Sequence, residues 1–200
     1  AAYLATVAMV AALFVLSESR TDTTVSEQFL HAGADHLGAA TRADLQRPTP
    51  APSPNGKPLG RPPAVPVASG KYRFLAMQPT EYSPVAYDPC RPIRYVVNAE
   101  NAPVGATDLL AQAVQRVSAA TGLQFIDDGA TDDVPSEQRD LVQSDRYGDR
   151  WSPVIIWWAE PTSAPMLEGP VAGYAGSASI EMADGNSTSR VYVSGSVVLD

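Results

Sequence analysis

Nine prolines stand between Pro48 and Pro79, and they decide how the rest of the chain can be organised. Proline has no backbone N–H for a helix or a sheet, and its ring clashes with the preceding helical turn. The stretch PTPAPSPNGKPLGRPPAVP therefore predicts an extended, polyproline-like spacer. Three regions follow: an apolar segment over residues 1–17, a disordered Pro-rich stalk over 18–79, and a folded domain over 80–200. The last region, about 120 residues, is long enough to build a small core. An SH3-type ligand is another role for such a spacer; outside a cell it reads as a stalk.

The first sixteen residues, AAYLATVAMVAALFVL, carry no charge. As a helix they would rise about 24 Å, a little less than a bilayer's hydrocarbon core of about 30 Å. The segment is read as a membrane anchor, with the apolar core of a signal peptide and a buried helix as alternatives. No small-x-small cleavage pattern follows it, since Glu18 falls where the cut would come. The first two readings put the rest of the chain outside the cytoplasm. Behind it, Val25, Phe29, Leu30, Ala34 and Leu37 recur at near-helical spacing. His31 and His36 are five apart, whereas a metal pair on one helical face needs three or four, so both are read as solvated.

From Glu81 onward there are 7 basic and 17 acidic residues, and no histidine follows His36. An acidic domain without a Lys/Arg cluster lacks the electrostatic footprint of a nucleic-acid binder. A region without imidazole has no His-based acid–base chemistry and lacks the usual zinc ligands. Cys90 is the single cysteine, so no internal disulfide can form.

Within 80–200 the periodicity predicts a strand at Ile93–Val97 ending at Asn98. A helix capped by Thr107 follows, lined by Leu110, Ala113, Val114, Val117 and Ala120, with Gly122 as its left-handed stop. Leu123–Ile126 is a second strand, and the strand–helix–strand unit predicts a parallel crossover. The run Val154-Ile155-Ile156-Trp157-Trp158 suits a central strand covered on both faces. Gly173–Ala178, rich in small residues, suits an edge. Asp184-Gly185-Asn186 turns the chain into a last strand, Val191–Leu199. The fold class is α/β, a twisted mixed sheet of about five strands with a crossover helix.

Read in order, YDPCRPIRYVVN, VSAATGLQFIDDG, RWSPVIIWWA, GYAG and VYVSGSVVLD resemble the front half of matrixin-like zinc metalloproteases of the metzincin group, above all the membrane-anchored actinobacterial forms. The resemblance covers about Tyr87 to Asp200 and implies an α+β zincin-like catalytic domain, truncated here. In that family the strand corresponding to Val191–Asp200 leads into a helix bearing H-E-x-x-H-x-x-G-x-x-H. Its histidines hold zinc and its glutamate activates the metal-bound water. None of these residues is present in this sequence. The resemblance therefore implies the front half of an extracytoplasmic zinc endopeptidase that hydrolyses peptide bonds, with zinc held by residues beyond Asp200. It assigns peptide binding by strand addition to Gly173, Tyr174, Ala175 and Gly176; a plain turn beside Pro170 is the other reading of these glycines. It also predicts that a helix after Asp200 covers inward positions among Trp157, Trp158, Val191, Val193 and Val197.

The histidine-based structural zinc site of animal matrixins has no counterpart in this sequence. Cys90 is read as a disulfide partner for a cysteine beyond Asp200, with a buried free thiol or a zinc-capping thiol as alternatives. Asp127, Asp128, Asp132, Asp133, Glu137 and Asp140 form an acidic stretch, read as a solvated surface or a calcium loop without the regular spacing. The rival function is a non-enzymatic, stalked cell-surface binding module.

Overall fold

The computed structural model describes residues 56–64, 73–79, 82–136, 139–184 and 187–200. The apolar segment 1–17, the short helix expected near His31 and His36, and the turn at Gly185 and Asn186 lie outside the described residues. Among those described, no helix is long and apolar enough to cross a membrane.

The described residues form a mixed α/β fold around one mostly parallel sheet of six strands: β1 (Ala86–Tyr87), β2 (Ile93–Asn98), β3 (Phe125–Ala130), β4 (Val154–Trp158), β5 (Gly173–Asp184) and β6 (Ser187–Leu199). Helix α1 (Ala106–Thr121) joins β2 to β3, and a single turn, α2 (Ser144–Tyr147), lies before β4. Across the sheet β3, β2, β4 and β6 run parallel. β5 runs antiparallel to β6 along its whole length, and β1 pairs in parallel with Val191 and Tyr192 of β6. The sixth strand is the two-residue β1, for which a sequence rich in prolines gave no signal.

The continuous apolar run of β4 places it mid-sheet, between β2 and β6, because side chains alternate sides along a strand and both sides here are covered. Ile155 and Trp157 pack on one face with Val96, Val198, Ala159, Ala164 and Leu167. Ile156 and Trp158 pack on the other with Tyr95 and Ala106, flanked by Leu110 and Val114 of α1. Ile155 is fully buried, and burial of such a side chain contributes about 1.5–3 kcal/mol. Trp157 and Trp158 already have their apolar cover, at 8% and 6% exposed, so of the positions expected to lack it only Val191, Val193 and Val197 stay half-buried.

Helix α1 begins at Ala106 and not behind a Thr107 cap. Gly105, left-handed at φ 83°, takes the cap position without any side-chain hydrogen bond. Its end is as the sequence predicts: Gly122 at φ 73° gives its N–H to Ser118 O.

Two pieces of the expected stalk are docked on this body. Leu59 N–H donates to Pro89 O at 2.9 Å, and residues 60–62 cross the end of α1. Further on, Val85 N–H donates to Ala76 O and Gln78 N–H to Ser83 O, around a Met77–Pro84 bridge. The Gln78 amide then completes the edge of β6, giving a hydrogen bond to Arg190 O and accepting one from Arg190 N–H, each at 2.8 Å. A wholly extended spacer up to residue 79 is thus not what these segments form; side-chain amides and glycines supply contacts that proline cannot.

A Cβ on Gly122 would stand 2.5 Å from Arg61 C and 2.6 Å from Pro62 N. Gly122→Ala is therefore expected to lose the roughly 1–2 kcal/mol cost of a left-handed non-glycine residue and also the packing of residues 60–62. Gly129→Ala is the control, with φ 92° and nothing within 4 Å of its Cβ. Urea midpoints of the two variants should differ, with Gly122→Ala the lower.

Candidate peptide-binding edge

The four residues assigned to peptide binding open β5. Gly173, Tyr174, Ala175 and Gly176 stand opposite Leu199, Val198, Val197 and Ser196 of β6. Among the described residues β5 pairs with no other strand, which makes it an edge of the sheet. The four differ in what fixes them. At Gly173 a Cβ would lie 2.5 Å from Val198 O, so the pairing with β6 itself requires glycine. Tyr174 packs half-buried against the core of Trp157, Leu167 and Val198, and burial raises its phenol pKa. Ala175, beside Val197, faces the α1 side of the sheet. At Gly176 an added Cβ would meet nothing within 4 Å: here the chain's own fold does not demand a glycine, and there is room beside the strand.

Position and rigidity of this edge come from β6. Gly195 lies opposite Ser177, where a Cβ would be 2.5 Å from Gly176 O and 3.3 Å from the Tyr87 hydroxyl. The absent side chain lets Tyr87 of β1 reach over β6. Its hydroxyl donates to Ser194 O at 2.9 Å and lies 3.1 Å from Ser177 Oγ. Its ring is 5.4 Å from that of Tyr192. Burial, partly offset by the Ser177 hydrogen bond, pushes the Tyr87 phenol up to about 12.

That shift carries a pH dependence. Above pH 10 the unfolded chain ionises Tyr87 while the folded chain keeps it neutral, so the unfolded state binds fewer protons and stability falls. The loss proceeds through the window from 10 to about 12 and amounts to about 2–3 kcal/mol. Tyr87→Phe should flatten this part of the stability–pH curve measured by urea titration. An unchanged slope in the variant would assign the alkaline loss to other groups.

The acidic stretch is in part the expected solvated surface, with Asp127, Asp132 and Asp140 exposed, and in part an ion-pair network in which arginines cover Asp128 and Asp133. Asp128 accepts from Arg94 Nη1 and lies 3.0 Å from Arg150 Nη1. Asp132 pairs with Arg146, which holds its carboxyl below the ordinary value. Asp133 accepts from Arg139 Nε at 3.1 Å and from the Tyr147 hydroxyl at 3.0 Å. Asp127 caps the N–H of Gly129 at 2.8 Å, and Glu137 lies outside the described residues. The signal for this network was Arg139, Arg146 and Arg150 standing within the same acid-rich segment. Cys90 sits half-buried as a free thiol in the turn before β2, its N–H donated to Asp88 Oδ1 at 2.9 Å.

Among the described residues no group of three His, Cys, Asp or Glu side chains could hold a metal ion. The donors among the described residues do not fit zinc. What the arrangement presents by itself is an edge strand, β5, that among the described residues pairs with β6 alone. Compared with protein-family models, with curated proteins and with solved structures, the chain matches none.

Proposed function

We propose that residues 80–200 are the peptide-docking part of a zincin-like, zinc-dependent endopeptidase domain, in which an extended substrate adds as a further strand to the outer edge of β5. In this reading the zinc ligands are supplied by residues outside this chain, on a helix that follows Asp200. The apolar segment 1–17 anchors the protein in a membrane, the stalk carries the domain on the extracytoplasmic side, and Cys90 pairs with a cysteine in the part that follows.

One observation carries the reading: a twelve-residue strand that, among the described residues, pairs with β6 alone, held in place by Gly195 and Tyr87, and open at Gly176. Strand addition satisfies such an edge with main-chain hydrogen bonds, so affinity depends on backbone more than on side chains.

Hydrogen exchange on the full chain tests the docking step. An extended peptide should slow amide exchange within Gly173–Ile180, and the same peptide N-methylated at alternate residues should not. Equal protection by both peptides would remove strand addition from the account. Binding without hydrolysis by the complete gene product would favour the stalked binding module instead.

A further inference from the structure

At the carboxyl end of β3 lies a cavity of about 510 Å³, walled by Ala130, Thr131, Asp132, Arg146, Tyr147 and Arg150. Small-molecule sites hold roughly 300–1,000 Å³, and open parallel sheets bind ligands outside the carboxyl ends of their strands. Both arginines are fixed along one edge of the guanidinium. Arg150 Nε donates to Tyr147 O at 2.7 Å. Its Nη1 stands 3.0 Å from Asp128 Oδ2, yet no aligned hydrogen bond reaches that buried oxygen. Arg146 Nη1 donates to Asp132 and, at 3.4 Å, to Thr131 Oγ1. Among the described residues no hydrogen bond falls to Nη2 of either guanidinium. Two forks are thus oriented in advance with donors unused, and a carboxylate accepts from such donors through charge-assisted bonds.

Asp132 supplies the opposite sign. Its side chain is 88% exposed in the pair with Arg146, and an ionised carboxylate accepts at about four sites, so acceptor capacity remains. Formal charge then decides the ligand class. Two arginines and two aspartates, Asp128 and Asp132, line the cavity, in a domain with 7 basic and 17 acidic residues from Glu81 onward. A simple anion is repelled by that acid surplus, and a simple cation meets two guanidinium groups. A ligand carrying both signs meets neither penalty.

We propose that this cavity binds a small amphoteric ligand, an α-amino acid with an uncharged side chain, its carboxylate on Arg146 and Arg150 and its ammonium on Asp132. Ala130 and Tyr147 supply an uncharged wall for the side chain. β3 closes the side of the sheet opposite β5, so this site stands apart from the docking edge and does not depend on it.

The test is an NMR titration of the full 200-residue chain in detergent with leucine, with leucinamide, which lacks the carboxylate, and with 4-methylpentanoate, which lacks the ammonium. Leucine should shift the amides of Ala130–Asp132 and Ser144–Arg150. It should bind at least about tenfold more tightly than either analogue, since each lacks one charged hydrogen-bonding group. Arg146→Gln should weaken leucine at least about fivefold. Asp132→Asn should weaken leucine to a similar degree and leave 4-methylpentanoate unchanged. Arg146 and Asp132 form an exposed pair, so neither change endangers the fold. If 4-methylpentanoate binds as tightly as leucine, the site is a carboxylate site and the amphoteric assignment is overturned. Leucine that leaves these amides unshifted, or that binds Arg146→Gln with undiminished affinity, removes the site altogether.

Discussion

Arg139→Ala should destabilise the protein by about 3–5 kcal/mol, a large share of the roughly 5–15 kcal/mol that holds a domain together. The guanidinium is 10% exposed and its partner Asp133 15%. It donates to Asp133 Oδ2 at 3.1 Å, to Ser194 Oγ at 3.1 Å and to Pro153 O at 3.0 Å. Its carbon Cζ lies 5.9 Å from the centre of the Tyr147 ring. One side chain thus ties the segment after β3 to β6 and to the start of β4.

Removing it leaves a nearly buried carboxylate without its cation, and it also strips a donor from Ser194, which is 1% exposed. The cost comes chiefly from the uncompensated charge, so Arg139→Met combined with Asp133→Asn should recover much of it. By contrast Arg94, 40% exposed in its pair with Asp128, should cost under about 1 kcal/mol when replaced. Urea unfolding followed by tryptophan fluorescence separates these cases. A loss below about 1 kcal/mol for Arg139→Ala would mean that the acidic segment is not fixed to the sheet as described.

The part of this fold that was legible in the sequence is the part set by local periodicity. Val154–Trp158 announces a doubly covered central strand because five apolar residues in a row admit no wet face, and β4 occupies that place. Leu110 and Val114 announce the inward stripe of α1, and Gly122 its end. Gly173–Ala178 announces an edge because small residues bury little.

What stayed hidden depends on partners distant in sequence. β5 and β6 run on to Asp184 and from Ser187, through EMAD and STSR, since ladder hydrogen bonds between two strands do not require apolar side chains. β1 and the Met77–Pro84 bridge lie among prolines, which are compatible with pairing only at edges. The Gly60–Gly122 approach and the reach of Tyr87 over Gly195 are tertiary contacts with no periodic trace. At the candidate site, the edge position of GYAG was legible. The separate reasons for its two glycines were not, because Gly173 answers to Val198 O and Gly176 to no neighbour at all.

The largest functional effect belongs to metal removal, and it bears most directly on the central claim. If residues 80–200 are the docking part of a zinc endopeptidase, as proposed, the complete gene product should cleave an extended peptide. A zinc chelator should lower that rate at least about a hundredfold, because in the proposed reading the attacking water is activated by the metal. Zinc returned at about one equivalent per chain should restore it. Throughout, the chelated protein should still slow exchange at Gly173–Ile180 when peptide is added, since docking on β5 needs only backbone. Peptide returned intact by the zinc-loaded protein, or cleavage indifferent to chelation, would contradict the account.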